Sequence, residues 1–557
     1  MPPRMPARFP VALTTLLLAT AALFLTRLGD RGLTSEEVRW ATVAREMRAS
    51  GDPVHPTING TAYYDKPVGS YWLIVAGSGL TGAVTETAAR LPAALAGVLG
   101  VGLLVGLARR LTDDGTALLA GAILATSFGF VVYARRATAD VETVVGVLAA
   151  VSLYQRNAAR PGRAWVLVLW AVMAVTSLTK GLLGFALPLA VLGVDTLSLA
   201  WGDRRETGFF AGLKAHTRWV FNPWTLVAVP LAVAVYFVPF LLSSGGGPAG
   251  AGMADGLAMV WRENVQRFVA PHNHVGPVYL YAGVIFVLAA PWSVFLPAAL
   301  VPPVRRGPGN RFARVYFWTV FAFFTLAASR RSYYLLPVLP AAALLIAGTL
   351  TALPQELRGL ARRLRGLGWG VLAAAVVASG LALVPPAWVL PTPYDAVPRL
   401  PYPAPFAVGW LAAVAVVGLT LRVRLPRPAG FAAVIAFAAF GYGFGVAWPA
   451  VDDQRTRRTF LANVVTRTAD DPDRLDVFHA RDSVFELGRT APDYADAAKL
   501  DADLRRGQVR WVLARRRYLA GVALPANIVL EEAVRPWDGD EVGDKLVLLE
   551  ITSPAGP

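Results

Sequence analysis

The sequence predicts a mainly α polytopic membrane protein of about thirteen transmembrane helices, ending in a small soluble α/β domain. Three observations carry this. Hydrophobic residues make up 55% of the 557 residues and charged residues only 16%, with a mean hydropathy of +0.48. Many apolar runs are roughly 17 to 22 residues long, the length that crosses the hydrocarbon core of a bilayer. After Trp448 the long runs stop, and short β-branched stretches alternate with polar helical ones.

The apolar runs begin near Pro10, Leu91, Thr116, Val141, Ala164, Gly181, Trp224, Pro277, Ala313, Tyr333, Leu367, Pro405 and Gly430. The first follows Arg4 and Arg8, as in a signal peptide. No small-x-small cleavage site precedes LTRLGD and further spans follow, so it reads as a membrane helix. With the N-terminus inside, the inner connections carry Arg109 and Arg110, Arg156 with Arg160 and Arg163, then Arg204, Arg205, Lys214 and Arg218. The basic series continues through Arg305, Arg306, Arg311 and Arg314, Arg358 to Arg365, and Arg422 to Arg427. Basic residues at every inner connection are the positive-inside pattern. They explain the net charge of +16 without a nucleic-acid partner. Cysteine is absent, which excludes disulfides, thiolate metal sites and a thiol nucleophile.

The same topology puts the loops 28–90 and 243–276 on the outer face of the membrane, with everything after Trp448. The first loop is the most informative stretch of the chain. Its core, LTSEEVRWATVAREMRASGDPVHPTINGTAYYDKPVGSYW, sets Glu36, Glu37, Asp65 and Lys66 beside a wall of membrane helices. Ionisable groups at such a place are costly to desolvate and point to a site for a substrate, ion or headgroup. Outer turns also hold Arg135, Arg136 and Asp140, then Lys180, then Arg330 and Arg331. Cations that break the inside rule repeatedly on one face suggest an anion-binding surface.

Each feature has a plainer reading. Glu36 and Glu37 open an amphipathic helix, with Thr34 or Ser35 as its N-cap and acids favoured in the first turn. Lys180 is placed to snorkel to the interface, and Arg135 and Arg136 to anchor on headgroups. Asp140 begins a spanning helix, where it either caps that helix or faces the site. His272 and His274 in RFVAPHNHVGP are surface or hydrogen-bonding groups, or a metal pair completed by Asp65, since imidazole and carboxylate suit zinc or manganese.

The C-terminal 449–557 contains RLDVFHA, a helical stretch near Ala495 to Arg506, QVRWVLARR, NIVLEEA and KLVLLEI. It has no glycine-rich phosphate loop and reads as a lid or recognition module on a transmembrane catalytic domain, 1–448.

The order of motifs resembles a family. It runs Glu36-Glu37-Val38-Arg39-Trp40, Ala44 to Met47, Ser50-Gly51-Asp52, Tyr64-Asp65-Lys66-Pro67 with Tyr71-Trp72, and Arg90-Leu91-Pro92. Further on come Arg136 to Asp140, Thr179-Lys180-Gly181, Trp261 with Asn264, Arg267 and Phe268, Pro291-Trp292, and Ser329 to Pro337. This is similar to the GT-C fold glycosyltransferases that use polyprenyl-phosphate sugars: the protein O-mannosyltransferases and above all the bacterial aminoarabinose (ArnT-like) transferases of lipid A. The chain departs from the family pattern at Glu36, usually Asp, at Trp40, usually Tyr, and at Asp65, often Glu.

The resemblance implies a bacterial inner-membrane enzyme with its site on the periplasmic side. Its partners would be a polyprenyl-phosphate-linked sugar donor, membrane lipids, and a lipid A-like lipid, glycan or protein acceptor. Glu36 is then the acceptor-side base and Asp140 a supporting acid, with Glu37 the next acid to consider. Lys66 is the first donor-phosphate ligand and Arg267 the second, joined by Arg330 and Lys180; fixed cations of this kind stabilise charge on a departing phosphate. Arg39, Tyr64, Tyr71, Arg136 and Tyr334 would touch substrate. No cofactor is required, and a divalent zinc, magnesium or manganese ion has Asp65, His272 and His274 as its candidate ligands. A single displacement needs one base, which predicts inversion. Two other readings fit the same composition: a flippase for polyprenyl-linked sugars, and a non-catalytic protein that binds lipid-linked sugar.

Overall fold

The computed structural model describes residues 8–34, 36–157, 164–242, 260–261, 266, 276–300, 308–356, 427–450, 456–520, 522, 524–533 and 544–552. The apolar runs expected from Leu367 and Pro405 lie outside these residues, and the others coincide with helices. Three of the helices, α1 (Arg8–Leu25), α2 (Glu36–Ser50) and α3 (Gly69–Thr81), are followed by the 26-residue α4 (Glu86–Leu111). Then come α5 (Asp114–Ala125), α6 (Phe128–Ala134), α7 (Asp140–Asn157), α8 (Trp165–Lys180), α9 (Leu183–Asp203), α10 (Phe209–His216) and α11 (Thr225–Leu242).

Among the described residues, four helices are long and apolar enough to cross a membrane: α4, α9, α11 and the continuous helical stretch Ser332–Thr351. Two bent pairs raise the number to six if each is one span. They are α5 with α6, bent by 62°, and Leu280–Leu288 with Trp292–Leu300, bent by 119°. The apolar α1 and α8 are shorter.

The bundle is organised around α4, which packs on α1, α3, α5 and α7, while α7 in turn packs on α8 and α9. The core is aliphatic and aromatic side chains such as Phe24, Val101, Leu104, Phe130, Val144, Leu148 and Met173. Many apolar side chains stay exposed on the outer surface of the helices, among them Leu80, Leu95, Leu99, Val175, Leu226 and Leu231. Such a belt is unstable in water and expected in lipid.

Between α1 and α4 the chain leaves the bundle to form a cap. α2 buries Trp40, Val43, Ala44 and Met47 at helical spacing, against Tyr71 and Ile74 of α3 and Ala137 and Ala139 of the turn between α6 and α7. A hairpin follows α2, with β1 (Thr57–Ile58) antiparallel to β2 (Thr61–Ala62). Its turn is Asn59-Gly60, with φ of 55° and 73°, the left-handed pair that a two-residue hairpin requires and that Asn-Gly supplies at low cost.

Residues 456–552 form a five-stranded sheet in the order β4-β3-β5-β7-β6. The strands are β3 (Leu475–Phe478), β4 (Asp493–Tyr494), β5 (Trp511–Arg515), β6 (Ala526–Glu531) and β7 (Leu546–Ile551). β3 pairs parallel with β4 and β5, and β7 antiparallel with β5 and β6. Alternation along the strands divides the apolar residues between two faces. Leu475, Val477, Leu513 and Leu548 meet Leu461 and Val464 of the helix Arg458–Arg467. Phe478, Val512, Ala514 and Val547 meet Leu500 and Leu504 of the helix Ala497–Arg505.

This sheet unit sits on the cap. Arg45 of α2 donates to the carbonyls of Phe485 at 2.8 Å and Val484 at 3.0 Å. Asn59 exchanges two hydrogen bonds with the backbone of Ala491, at 2.6 and 2.9 Å, and Arg481 donates to the Ile58 carbonyl at 2.6 Å. The helix that opens with Glu36 is therefore held between the bundle and the C-terminal sheet.

Candidate active site

The site begins at the first turn of α2. The Thr34 N–H and hydroxyl both donate to Glu37 Oε2, at 3.2 and 3.1 Å, while the Glu37 N–H donates to the Thr34 carbonyl at 3.0 Å. This reciprocal arrangement satisfies donors that a helix start leaves without partners. Glu37 is only 2% exposed and is gripped by Arg90, itself 1% exposed, through contacts of 2.8 and 3.1 Å. Arg31 approaches at 3.4 Å and the Ala137 N–H donates at 3.0 Å. Burial opposes the charge of Glu37, but Arg90, Arg31 and the Ala137 N–H outweigh it and hold the carboxyl at about 2. Arg90 spends its remaining donors on the carbonyls of Leu28, Arg31 and Gly32. The expectation of Glu37 as an acid available for chemistry is thereby corrected. Its oxygens are saturated, and it ties α2 to α4 and to the turn before α7.

The preceding residue faces the other way. Glu36 makes an ion pair with Arg331, whose guanidinium also donates to the Tyr333 hydroxyl at 2.7 Å. The Tyr333 hydroxyl lies 3.5 Å from both Glu36 oxygens, and Arg39 lies 3.5 Å from Oε1. The side chains of Glu36 and Arg331 are 28% and 24% exposed, so a ligand can reach both. Burial raises the proton affinity of Glu36, yet Arg331, Arg39 and Lys180 together pull it below the ordinary glutamate range.

A second acid and cation lie alongside. Asp140, buried at the start of α7, pairs with Lys180 at the end of α8. Lys180 Nζ stands 4.9 Å from the Tyr333 ring centre and 5.6 Å from that of Tyr334, near enough for cation–π attraction. The Tyr133 ring lies 5.6 Å from that of Tyr333, tilted by 42°, and Arg136 covers the Tyr133 ring. Glu36–Arg331 and Asp140–Lys180 thus line one aromatic wall built from Tyr133, Tyr333 and Tyr334.

Two glycines allow this approach. Gly181 ends α8 at φ 84°, the conformation that glycine adopts without strain, which leaves Lys180 as the last helical residue. At Gly69 a Cβ atom would stand 2.6 Å from the Leu178 carbonyl oxygen, so only glycine lets the start of α3 touch the end of α8. That contact is reinforced by Ser70 donating to the Thr179 carbonyl, and the half-buried Tyr64, Asp65 and Lys66 lie in the segment that leads into α3.

Other expectations fare differently. Arg330 was expected to meet the donor phosphate. Its guanidinium instead donates to the backbone carbonyls of Gly276 at 2.5 Å and Thr325 at 3.0 Å, and the neighbouring Arg331 enters the site. Tyr71, expected to touch substrate, is 1% exposed and packs at 4.9 Å on Trp40, where it supports α2 from beneath. Arg135 is no headgroup anchor: it donates to the carbonyls of Leu23, Phe24 and Thr26 at the end of α1. Arg39 is exposed beside Glu36, and Tyr334 stands at the wall. Arg267, His272 and His274 lie outside the described residues, as does the partner they would give Asp65. Among the described residues no three metal-ligating side chains come together. Sequence reasoning named Arg331 only among the outer-face cations, preferring Arg330 as the phosphate ligand, and missed Tyr333 as a site residue. The signal was the string RRSYY at the head of an apolar run, but adjacent residues point in different directions and the string alone does not choose between them.

Comparison with known proteins agrees with this architecture. The family described as dolichyl-phosphate-mannose-protein mannosyltransferase matches residues 65–242. A Pseudomonas aeruginosa undecaprenyl phosphate-α-4-amino-4-deoxy-L-arabinose arabinosyl transferase is 32% identical over 381 residues, 65% of this chain and 64% of the relative. The protein of the same name from Pectobacterium carotovorum is 31% identical over 396 residues, 67% of this chain and 66% of the relative. The matched region thus spans just under two thirds of the length of these curated relatives. In fold, ArnT of Cupriavidus metallidurans bound to undecaprenyl phosphate superposes with a TM-score of 0.70 at 24% identity, covering 99% of this chain and 100% of that one. The apo oligosaccharyltransferase of Archaeoglobus fulgidus gives 0.52 at 12% identity, over 92% of this chain and 70% of that one. With the apolar helices and the two carboxylate–cation pairs already described, these matches identify the chain as an integral membrane protein of the GT-C fold that is similar to the ArnT-like transferases.

Proposed function

We propose that this protein is a membrane glycosyltransferase that moves a sugar from a polyprenyl-phosphate-linked donor to an envelope acceptor at the outer, periplasmic face of the bacterial inner membrane. The observation that carries the reading is the pairing of two carboxylates with two cations on one aromatic wall, beside an apolar bundle. A sugar phosphate on a long isoprenoid needs these three things together: cations for the phosphate, carboxylates for the acceptor and sugar, and a lipid-facing approach for the tail.

In the mechanism, Glu36 accepts the proton of the acceptor hydroxyl as its oxygen bonds to the anomeric carbon. The bond from that carbon to the phosphate oxygen breaks, and polyprenyl phosphate leaves with the electron pair. Configuration inverts, because the acceptor attacks opposite the leaving group. Lys66, Lys180 and Arg331 stabilise the departing phosphate, with Arg267 joining from the second outer loop. Asp140 positions Lys180 and the sugar. Arg39, Tyr64, Arg136 and Tyr334 border the substrate. No step runs through a metal, and Asp65, His272 and His274 are the ligand set for zinc, magnesium or manganese if one binds.

In this reading residues 1–448 form the catalytic membrane unit with thirteen spans and residues 449–557 an extracytoplasmic module. The names of the relatives make undecaprenyl phosphate-aminoarabinose the first donor to assay and a lipid A-like lipid the first acceptor, ahead of glycans and proteins. Purified protein given labelled donor and acceptor lipid should yield labelled acceptor and free polyprenyl phosphate. Donor movement across a vesicle membrane without transfer would identify a flippase instead, and donor binding with neither would identify a non-catalytic binder.

A further inference from the structure

The Glu36–Arg331 pair presents a chemical conflict. A base must take a proton, yet Glu36 rests against a guanidinium that keeps it charged and lowers its affinity for one. The cation in turn is occupied by a carboxylate although the site has to receive a phosphate. Both conflicts end if the partners separate. Arg331 is suited to such an exchange. Its planar fork matches a phosphate as well as a carboxylate, it is already steadied by the Tyr333 hydroxyl, and it is open to a ligand.

We infer that Arg331 is an exchangeable partner, bound by Glu36 in the empty site and taken over by the donor phosphate, so that Glu36 becomes a competent base only when donor is present. The inference rests on the proposed function and adds to it an order of events. The other charged or titratable groups facing Glu36 are Arg39 on its own helix, Lys180 on α8, Asp140 on α7, and Tyr133 and Tyr333 on the wall. Lys180 has its own carboxylate in Asp140 and Arg39 is exposed, so Arg331 is the cation whose departure most changes Glu36. The exchange also guards the site. With no phosphate present, Glu36 is held by Arg331 and is not available to activate a water or an acceptor.

The test is competition, read by binding. Undecaprenyl phosphate is titrated onto the full-length protein in detergent, with undecaprenol as the phosphate-free control. Glu36→Gln removes the competing charge at nearly constant shape and should bind undecaprenyl phosphate about fivefold or more tightly than wild type, with no change toward undecaprenol. In an Arg331→Gln background, adding Glu36→Gln should give no such gain. If Arg331→Gln does not fold, Arg331→Lys replaces it and should show a reduced gain. Equal or weaker binding by Glu36→Gln, or the same gain without Arg331, overturns the exchange while leaving the glycosyltransferase reading intact. A wild-type protein that does not bind undecaprenyl phosphate overturns the reading itself, and the exchange with it.

Discussion

Glu36 and Glu37 are neighbours in sequence with opposite surroundings: Glu37 is 2% exposed and locked to Arg90, while the Glu36 side chain is 28% exposed and faces Arg331 across an open site. The helical turn makes this unavoidable, because successive residues on a helix point about 100° apart. One carboxylate fixes the helix, and the fixed helix aims the other.

Glu37 should therefore matter to folding. Glu37→Gln leaves Arg90 buried without a counter-charge, and Arg90→Met leaves Glu37 with only the more distant Arg31 at 3.4 Å; removing one partner of such a pair costs about 3–5 kcal/mol. Both variants should give little folded protein in detergent, measured by thermal unfolding. The pH dependence has a definite sign. The Glu37 carboxyl is depressed from its ordinary value of 4.5 to about 2 on folding. Its contribution, about 3 kcal/mol, is complete above the ordinary value and is lost as pH falls from there through the folded one. Arg90→Met should flatten that part of the stability profile.

Glu36 should matter to turnover. Glu36→Gln should fold like wild type and lose at least about 10²-fold in transfer, whereas Glu36→Asp should retain more activity because it keeps the base. Near-normal turnover in Glu36→Gln would move the base to Asp140, the other acid at the wall.

The cap and the C-terminal sheet should be coupled to transfer without touching substrate. Arg45 donates to two carbonyls of the sheet unit and its guanidinium stands 5.3 Å from the Phe485 ring. Arg45→Ala should loosen α2, increase protease sensitivity in the Glu36 loop and lower transfer by about threefold to tenfold, an effect of the size expected when a catalytic group is less well positioned. Donor affinity should change much less. Unchanged proteolysis together with unchanged transfer would show that the sheet unit sits on the cap without supporting it.

Much of this arrangement was legible in the sequence, and the limits have physical causes. Apolar length placed the helices, because burial in lipid demands it of every span. The strings RLDVFHA, QVRWVLARR, NIVLEEA and KLVLLEI coincide with β3, β5, β6 and β7, since period-two alternation and β-branching mark a strand directly. The site was legible in residue type, as acids and cations gathered on one face, but not in direction. Choosing Arg331 over Arg330, or seeing that Tyr71 is core and Glu37 an anchor, requires knowing where each side chain points. That depends on tertiary contacts such as Arg330 with the Gly276 carbonyl, between residues far apart in sequence.

Topology offers an independent check, since a chain without cysteine can be labelled at introduced ones. Arg505, whose side chain is 79% exposed in the C-terminal unit, should as cysteine react with a membrane-impermeant thiol reagent added from the periplasmic side. Glu206, in the connection after α9, should as cysteine react only from the cytoplasmic side. Labelling of both from one side would overturn the arrangement derived from the inner arginines.

The last prediction assigns the phosphate. Lys66 leads into α3, whose first residues touch the end of α8, and Pro67 fixes the backbone behind it, so the lysine stem can carry its ammonium to the membrane surface where a lipid phosphate lies. Lys66→Ala should weaken undecaprenyl phosphate about tenfold, as expected for losing one charge-assisted contact, and leave acceptor affinity nearly unchanged. Lys66→Arg should recover part of the loss, being cationic but differently shaped. Arg330→Ala provides the contrast. Its guanidinium is occupied by backbone carbonyls, so the variant should lower thermal stability while the folded fraction binds undecaprenyl phosphate as wild type does. If Arg330→Ala weakens the lipid phosphate and Lys66→Ala does not, the phosphate lies on the far side of the Arg330–Arg331 turn, and the roles given to Lys66 and Lys180 are wrong.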